Sequence, residues 1–211
     1  MPEWYSNTDV LDLAPGDLRK RLFILAGPSG VGKTTLASML CGFTDKLVIL
    51  PNYTTRPLRD TDPADHFRYL TDDEFTASHA QRQFFLCRLA PFPRYGYTLI
   101  DLNAALSAGK RPLFMFRHSG VEYVTTVLGG VPTVFLEGDL NRLRIHSHNK
   151  VQERSGEEAA AETLSANRRL FHTMTDKHWP CRQMFNTFSG ATELLDLAHS
   201  ILDFLATCDE F

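Results

Sequence analysis

An eight-residue stretch from Gly27 to Thr34 combines glycines with a lysine and a hydroxyl side chain. Its sequence, Gly-Pro-Ser-Gly-Val-Gly-Lys-Thr, fits the pattern G-x-x-x-x-G-K-[ST] at every fixed position. Glycines let the backbone wrap around a phosphate with its N–H groups pointing inward, and a helix that starts in such a loop adds positive charge. Lys33 would then neutralise the β- and γ-phosphates of a nucleoside triphosphate, and the Thr34 hydroxyl would bind Mg²⁺.

This motif predicts triphosphate binding without distinguishing a kinase from a GTPase or an ATPase. The alternative is a glycine-rich turn that binds no ligand. The residues predicted to contact the nucleotide through the loop are Gly27, Pro28, Ser29, Gly30, Val31, Gly32, Lys33, Thr34 and Thr35.

A second candidate group lies at 52–59, where Arg56 and Arg59 are three residues apart. Guanidinium groups bind phosphates and carboxylates through two parallel hydrogen bonds, which suits a second, anionic substrate beside a phosphate-binding loop. The alternative is a solvated turn that carries two surface arginines.

The elements that must position these residues alternate between strands and helices. Continuous apolar runs at 22–26, 47–50, 113–116 and 133–136 are typical of strands covered on both faces. Helices are predicted at 35–40, 72–80, 101–108, 121–128 and 157–175, and at 72–80 Thr71 and Glu74 have the spacing of a capping box. This alternation predicts an α/β sandwich with a mainly parallel sheet.

The composition restricts the class of protein. The chain has 211 residues, of which 43% are hydrophobic and 22% charged, which indicates a folded domain. No apolar run reaches the ~18–20 residues that span a bilayer, and a net charge of −3 does not favour nucleic acid. The four cysteines form no CxxC pair, which is typical of reduced thiols in the cytosol. We therefore expect a cytoplasmic protein with an N-terminal extension at 1–20 and a single domain at 21–211.

With these motifs the chain resembles the guanylate kinase family over about residues 21–207. The loop at 27–33 is that family's variant, and residues 54–59 are similar to its T-T-R-x-x-R signature. Tyr95-Gly96 resembles its Y-G-T segment, and Asn186 its V-N-D segment. The resemblance implies a P-loop three-layer α/β sandwich with a mainly parallel five-stranded sheet. It also implies an acceptor-binding insert at 52–98 and a helical lid at about 140–157.

The resemblance implies roles for individual residues as well. Arg56 and Arg59 would hold the phosphate of the acceptor with help from Tyr95, and Asn52 takes the position of a small hydroxyl residue in the family. Arg154 is the lid arginine that would act on the transferred group together with Lys33 and Arg56. Asn186 would contact the nucleotide.

Several positions depart from the family pattern. Phe67 stands where the family has a tyrosine that binds the acceptor phosphate, and Cys87 where it has the glutamate that reads guanine. The family's L-D-I-D segment becomes Phe-Met-Phe-Arg at 114–117, without either carboxylate. A guanine base would therefore lack its usual polar partners. Ribose 1,5-bisphosphate phosphokinase has a similar outline and also lacks the guanine pocket.

We predict a phosphotransferase that moves the γ-phosphoryl of ATP, with Mg²⁺, to a small phosphorylated acceptor. A nucleoside monophosphate is the first expectation for that acceptor, and a sugar phosphate is the alternative. A non-catalytic binding module of the same fold and an NTPase switch stay open. We expect no nucleic-acid or membrane partner, and a homodimer stays open.

Overall fold

Two five-stranded sheets organise the computed structural model, which describes residues 4–8, 15–60, 62–147 and 153–208. In the first, called here the core sheet, every neighbouring pair of strands runs parallel. In spatial order its strands are β10 (Cys181–Asn186), β9 (Thr133–Gly138), β2 (Phe23–Ala26), β8 (Arg111–Phe116) and β3 (Leu47–Ile49). This sheet confirms the predicted α/β architecture.

Eight helices accompany the sheets in the described residues. They are α1 (Pro15–Lys20), α2 (Lys33–Phe43), α3 (Asp72–Ala80), α4 (Leu99–Ser107), α5 (His118–Leu128), α6 (Leu140–Ser147), α7 (Glu153–Asp176) and α8 (Ala191–Cys208). The predicted capping box is confirmed, because the Thr71 hydroxyl accepts from the Glu74 N–H and the Glu74 carboxylate accepts from the Thr71 N–H. Among these helices none is both long and apolar enough to cross a membrane.

Strand β2 shows why the core sheet forms where the apolar runs predict it. All four of its residues are fully buried. Phe23 and Leu25 pack into the cluster formed with α2 and α8, while Ile24 and Ala26 pack on the other face with α4 and α5. Because a strand alternates its side chains between two faces, only a continuous apolar run satisfies helices on both sides.

The second sheet, called here the insert sheet, lies above the carboxyl end of the core sheet. In spatial order its strands are β1 (Trp4–Ser6), β6 (Phe84–Arg88), β7 (Tyr95–Thr98), β4 (Asn52–Thr54) and β5 (Phe67–Tyr69). The β4–β5 pair is parallel and the other pairs are antiparallel. Four of the strands come from the segment 52–98, and β1 comes from the segment expected to be an extension.

One buried tyrosine joins the two sheets. The Tyr97 hydroxyl donates to the carbonyl of Met115 at 3.1 Å and accepts from the Asn52 side chain at 3.0 Å. Trp4 adds a second joint, because its ring stacks on Tyr123 of α5 at 5.5 Å and meets the edge of Phe116 at 6.1 Å. The cleft between the insert sheet and the end of the core sheet is therefore fixed at two places.

The segment expected to form the lid, 140–157, is described in part. Helix α6 ends at Ser147 and α7 begins at Glu153, and residues 148–152 lie outside the described part. Asp139 caps α6 by accepting from the N–H groups of Asn141 and Arg142.

Candidate active site

The glycine-rich loop connects the end of β2 to the start of α2 at the carboxyl edge of the core sheet. Gly27 donates its N–H to the Phe116 carbonyl at 3.1 Å, which fixes the start of the loop on β8. A Cβ atom on Gly27 would lie 2.8 Å from the Leu136 carbonyl oxygen and 2.8 Å from a Val31 methyl group. Gly32, just before α2, has a φ of +97°, in the left-handed region that favours glycine. The loop therefore has no room for side chains at these two positions.

Lys33 folds back over this loop. Its Nζ donates to the carbonyl oxygens of Gly27 at 2.8 Å and Pro28 at 2.7 Å. The ammonium group is thereby held at the mouth of the loop, close to the N-terminus of α2. This arrangement concentrates positive charge where a polyphosphate would bind.

Asn186, at the end of β10, is buried and hydrogen-bonded to the backbone of the glycine-rich loop. Its Nδ2 donates to the Val31 carbonyl at 3.0 Å, and its Oδ1 accepts from the Phe188 N–H at 2.9 Å. The structure thus brings this residue to the loop, with its amide bound to the loop backbone. Of the two loop threonines, Thr34 is half-buried on α2 and Thr35 is exposed.

Arg56 is the centre of a buried charged group in the insert. Its guanidinium donates to Asp62 Oδ2 at 2.6 Å and to the Pro57 carbonyl at 2.9 Å. It also lies over the rings of Phe67 and Tyr69, at 4.5 Å and 5.5 Å from their centroids. The departure at Phe67 therefore removes a hydroxyl but keeps an aromatic ring, whose face supports the guanidinium.

Asp62 collects three donors in this group. Besides Arg56 it accepts from the Tyr69 hydroxyl at 2.6 Å and from the Arg59 N–H at 3.0 Å. Burial alone would raise the pKa of Asp62, but the hydrogen bonds from Arg56 and Tyr69 outweigh it and lower that pKa. Burial and the bond to Asp62 raise the pKa of Tyr69 to about 12. Sequence reasoning missed Asp62 as the partner of Arg56, although a carboxylate six residues after a buried arginine is a usable signal.

The other predicted acceptor residues are placed unequally. Tyr95 is half-buried and close enough to Arg56 for its charge to affect the pKa of that arginine. Arg59 is half-buried and joins the group through its backbone. Asn52 is buried and its amide nitrogen is bound to Tyr97, so it serves the joint between the two sheets.

Two further arginines face the cleft. Arg88 pairs directly with Tyr95 across the insert sheet, and its guanidinium lies 5.0 Å from the centroid of the Tyr95 ring. Arg117 lies between the end of β8 and the start of α5, and its positive charge is close enough to lower the pKa of Arg88, although burial is the larger cause. Sequence reasoning did not single out Arg88.

Cys87, aligned with the guanine-reading position, faces away from this cleft. Its side chain is fully buried in a cluster with Phe75 and Phe84, and burial raises its pKa to about 12. Because successive strand residues point to opposite faces, its neighbour Arg88 takes the cleft side instead. The cleft therefore presents a cation at this part of the insert sheet.

The lid arginines are described in part. Arg154 belongs to the first turn of α7, and its side chain lies outside the described part of the chain. Arg168, further along α7, donates twice to the buried Glu137 carboxylate, at 2.9 Å and 2.9 Å. In the described residues no group of three or more His, Cys, Asp or Glu side chains is placed to hold a metal ion.

Comparison with known proteins relates this arrangement to one family. No family model matches the chain. A guanylate kinase from Bradyrhizobium diazoefficiens is 30% identical over 168 residues, 76% of this chain and 72% of that protein. The guanylate kinase of Rhodopseudomonas palustris is 30% identical over 139 residues, covering 64% of this chain and 63% of its own.

Other relatives match over a smaller part of their length, and a crystal structure of similar fold is known. The match to a guanylate kinase from Paraburkholderia xenovorans, 26% identical over 116 residues, spans about half of that protein, 52%. A crystal structure of guanylate kinase from Anaplasma phagocytophilum superposes with a TM-score of 0.64 at 16% identity, over 88% of this chain and 84% of the other, which shows the shared fold. On the identity and coverage of the Bradyrhizobium match, the chain belongs to the guanylate kinase family.

Proposed function

We propose that the protein transfers the γ-phosphoryl group of ATP to a phosphate group on a small acceptor. The observation that carries this proposal is a pair of fixed cations. Lys33 is bonded to the carbonyls of the glycine-rich loop at the carboxyl edge of the core sheet, and Arg56 is bonded to Asp62 in the insert, whose Tyr97 is bonded to that edge. Kinases in which both substrates carry phosphates need such a pair, because their catalysis consists mainly of positioning and charge neutralisation.

On the nucleotide side, the loop amides and Lys33 would hold the β- and γ-phosphates. Thr34, one residue after Lys33, would supply a hydroxyl ligand for Mg²⁺, and the other ligands would come from the phosphates and water. When bound, Mg²⁺ neutralises charge on the β- and γ-phosphates. Arg154 would close over the transferred group from the lid at about 140–157, which would exclude water and limit ATP hydrolysis.

On the acceptor side, Arg56 would orient the phosphate, with Arg59 and Tyr95 beside it. A phosphate oxygen of the acceptor attacks the γ-phosphorus, the bond to the β–γ bridging oxygen breaks, and ADP leaves. An acceptor phosphate is ionised at neutral pH, so this step needs no general base. The bond to Asp62 already fixes the long side chain of Arg56, so this side chain would lose little conformational entropy when the acceptor binds.

The relatives' name favours a nucleoside monophosphate as acceptor, with the insert at 52–98 as its binding region. A sugar phosphate is the second candidate. It is favoured by the cleft face of β6, where Arg88 rather than a carboxylate is presented toward the ligand. A guanine base needs hydrogen-bond acceptors at its N1–H and N2–H₂ edge, which a guanidinium does not offer.

The test is a screen for ADP release with ATP, Mg²⁺ and single acceptors: guanosine, adenosine, cytidine and uridine 5′-monophosphates, ribose 5-phosphate and ribose 1,5-bisphosphate. We expect ADP release that depends on one acceptor class and is lost in Lys33→Ala. ADP release without acceptor, at a rate that Arg56→Ala does not change, would instead identify an NTPase switch. Absence of ATP binding in the wild type would identify a non-catalytic module.

A further inference from the structure

Arg88 is a partly buried cation without a counter-charge. It lies on β6, the second strand of the insert sheet, with its guanidinium over Tyr95 and its Nη2 bound to the Pro93 carbonyl at 2.7 Å. Its Nε is buried and has no hydrogen-bond acceptor. Over the described ranges 4–8, 15–60, 62–147 and 153–208, no carboxylate lies within ion-pair distance of it.

Arg56, just after β4 of the same sheet, is an arginine whose charge is compensated. Its guanidinium is matched by the Asp62 carboxylate at 2.6 Å and supported by two aromatic rings. An uncompensated charge and an unpaired buried donor both cost folding free energy. The uncompensated charge and unpaired donor of Arg88 therefore oppose folding, and a negatively charged ligand would offset this cost.

Arg117 strengthens this local excess of positive charge. It is exposed at the end of β8, next to the start of the glycine-rich loop, and its charge repels that of Arg88. No ion pair of Arg117 is found in the part of the chain that the structure describes. Geometry connects the two cations as well, because Trp4 pairs with Arg88 and its ring meets Phe116, the residue before Arg117. In the described residues neither arginine has a carboxylate within ion-pair distance.

Trp4 supplies a second, independent observation. It is the direct cross-strand partner of Arg88 in the β1–β6 pair, so the two side chains stand on the same face of the insert sheet. The Nε1 of Trp4 is also buried without an acceptor. Two unsatisfied donors on paired residues are unusual in a folded protein, and they indicate a ligand that accepts hydrogen bonds.

From these contacts we propose that Arg88 and Arg117 form a second anion subsite in the acceptor cleft, with Trp4 beside it. The subsite binds a phosphate or carboxylate of the acceptor other than the phosphate that receives the γ-phosphoryl group. The proposal rests on the proposed function, since it assumes that the acceptor binds in this cleft. It assigns the acceptor to small molecules with two anionic groups.

Matched pairs of ligands test the subsite by calorimetry, without ATP. Each pair differs by one anionic group: ribose 5-phosphate and ribose 1,5-bisphosphate, guanosine 5′-monophosphate and guanosine 3′,5′-bisphosphate, uridine 5′-monophosphate and orotidine 5′-monophosphate. The first two pairs test a phosphate, and the third tests a carboxylate. We expect at least one pair in which the extra group tightens the dissociation constant tenfold or more.

Variants of the full chain locate the effect. Arg88→Met removes the guanidinium and keeps an unbranched side chain beside Tyr95. Arg117→Met changes an exposed side chain, so it folds even if Arg88→Met does not. Each is expected to bring the ratio of dissociation constants within the pair close to one, while binding of the monoanionic member changes less than twofold. Arg68→Met is the matched control, because Arg68 is an exposed arginine of the same insert that donates only to the backbone carbonyls of Ala64 and Phe67. It should leave the ratio unchanged.

Two results would overturn the subsite. One is the absence of any pair with a ratio above two in the wild type. The other is an equal weakening of both members of a pair by Arg88→Met, which would place this arginine in the first phosphate site. Phosphoryl transfer measured in parallel separates the two proposals. A tenfold ratio of dissociation constants without phosphoryl transfer would refute only the kinase function. Phosphoryl transfer with a ratio close to one in every pair would refute only the subsite.

Discussion

The glycine-rich loop and the cleft proposed for the acceptor both hold cations, but they compensate those cations differently. Lys33 is satisfied by carbonyl oxygens of its own loop, within six residues of sequence. In the cleft, Arg56 is matched by a carboxylate, whereas Arg88 on the neighbouring face has none in the described residues. The difference teaches that cations in one protein can be stabilised by the fold itself or left without a counter-charge. On the functions proposed above, the first kind would hold phosphates common to all substrates, and the second kind would bind an anionic group of one particular substrate.

The largest effect is expected from breaking the compensated pair. Arg56→Met leaves the buried Asp62 carboxylate without its cation, and such a loss typically costs about 3–5 kcal/mol. We expect urea unfolding to show a loss of free energy of unfolding of about 3 kcal/mol, together with weaker acceptor binding. Asp62→Asn is the partner variant, and Arg68→Met, at an exposed arginine of the same insert, is the control. A loss of free energy of unfolding below about 1 kcal/mol would show that the Arg56–Asp62 pair does not stabilise the insert.

A smaller effect is expected from filling the loop. Gly27→Ala places a methyl group 2.8 Å from the Leu136 carbonyl oxygen, which forces the loop off β9. We expect a loss of stability of about 1–3 kcal/mol, as for other overpacked positions, and a tenfold or greater rise in the ATP dissociation constant. Gly42→Ala is the matched control, because a Cβ there meets nothing within 4 Å in a helix. Unchanged ATP affinity in Gly27→Ala would contradict the close approach of loop and phosphate.

Removing the uncompensated cation should cost no stability. Arg88→Met deletes a partly buried charge that has no carboxylate partner in the described residues, and this gain offsets the lost contacts with the Tyr95 ring and the Pro93 carbonyl. We therefore expect the free energy of unfolding to stay the same or rise by up to about 1 kcal/mol. Arg56→Met and Arg88→Met therefore move stability in opposite directions, although both remove a cleft arginine. A loss of more than 1 kcal/mol in Arg88→Met would mean that a compensating group is present.

The smallest effect concerns pH. His66 is buried between the insert and α2, its Nε2 lies 3.3 Å from the Ser38 hydroxyl, and burial lowers its pKa. The unfolded chain then binds the proton more readily, so stability is complete above about pH 6.5 and falls as pH decreases through the lowered pKa. His118, whose pKa burial also lowers, acts in the same direction.

Urea unfolding at pH 7 and pH 5 measures this dependence. His66→Gln should reduce the loss of stability between the two pH values, and His199→Gln, at an exposed position, should not. The same loss in His66→Gln and in the wild type would place the titrating group elsewhere.

What could be predicted from the sequence depends on whether a site is built from neighbouring residues or from strands far apart in the chain. The loop from Gly27 to Thr34, the apolar strand at 23–26 and the capping box of Thr71 and Glu74 depend on neighbours in sequence, and their structures follow the prediction. Family membership was also predictable, because the loop and the arginine signature are short and contiguous.

The acceptor cleft was harder to predict, since it is assembled from strands far apart in the chain. Arg88 gains its position from pairing with Tyr95 and with Trp4, and no spacing rule gives a register between β6 and a strand 80 residues earlier. A shift of one residue along a strand exchanges the two faces, which is why Cys87 and Arg88 point in opposite directions. The partner of Arg56 was missed for a different reason: Asp62 is only six residues away, but the contact depends on how the loop after β4 folds back.

The most direct test of the account follows ATP radiolabelled in its γ-phosphoryl group. The account predicts that the label moves into the acceptor only when an acceptor is present, and that Lys33→Ala lowers this transfer by about 10²–10³-fold, as expected for the loss of one transition-state cation. Label released as inorganic phosphate at the same rate with and without every acceptor, and unaffected by Arg56→Ala, would contradict it.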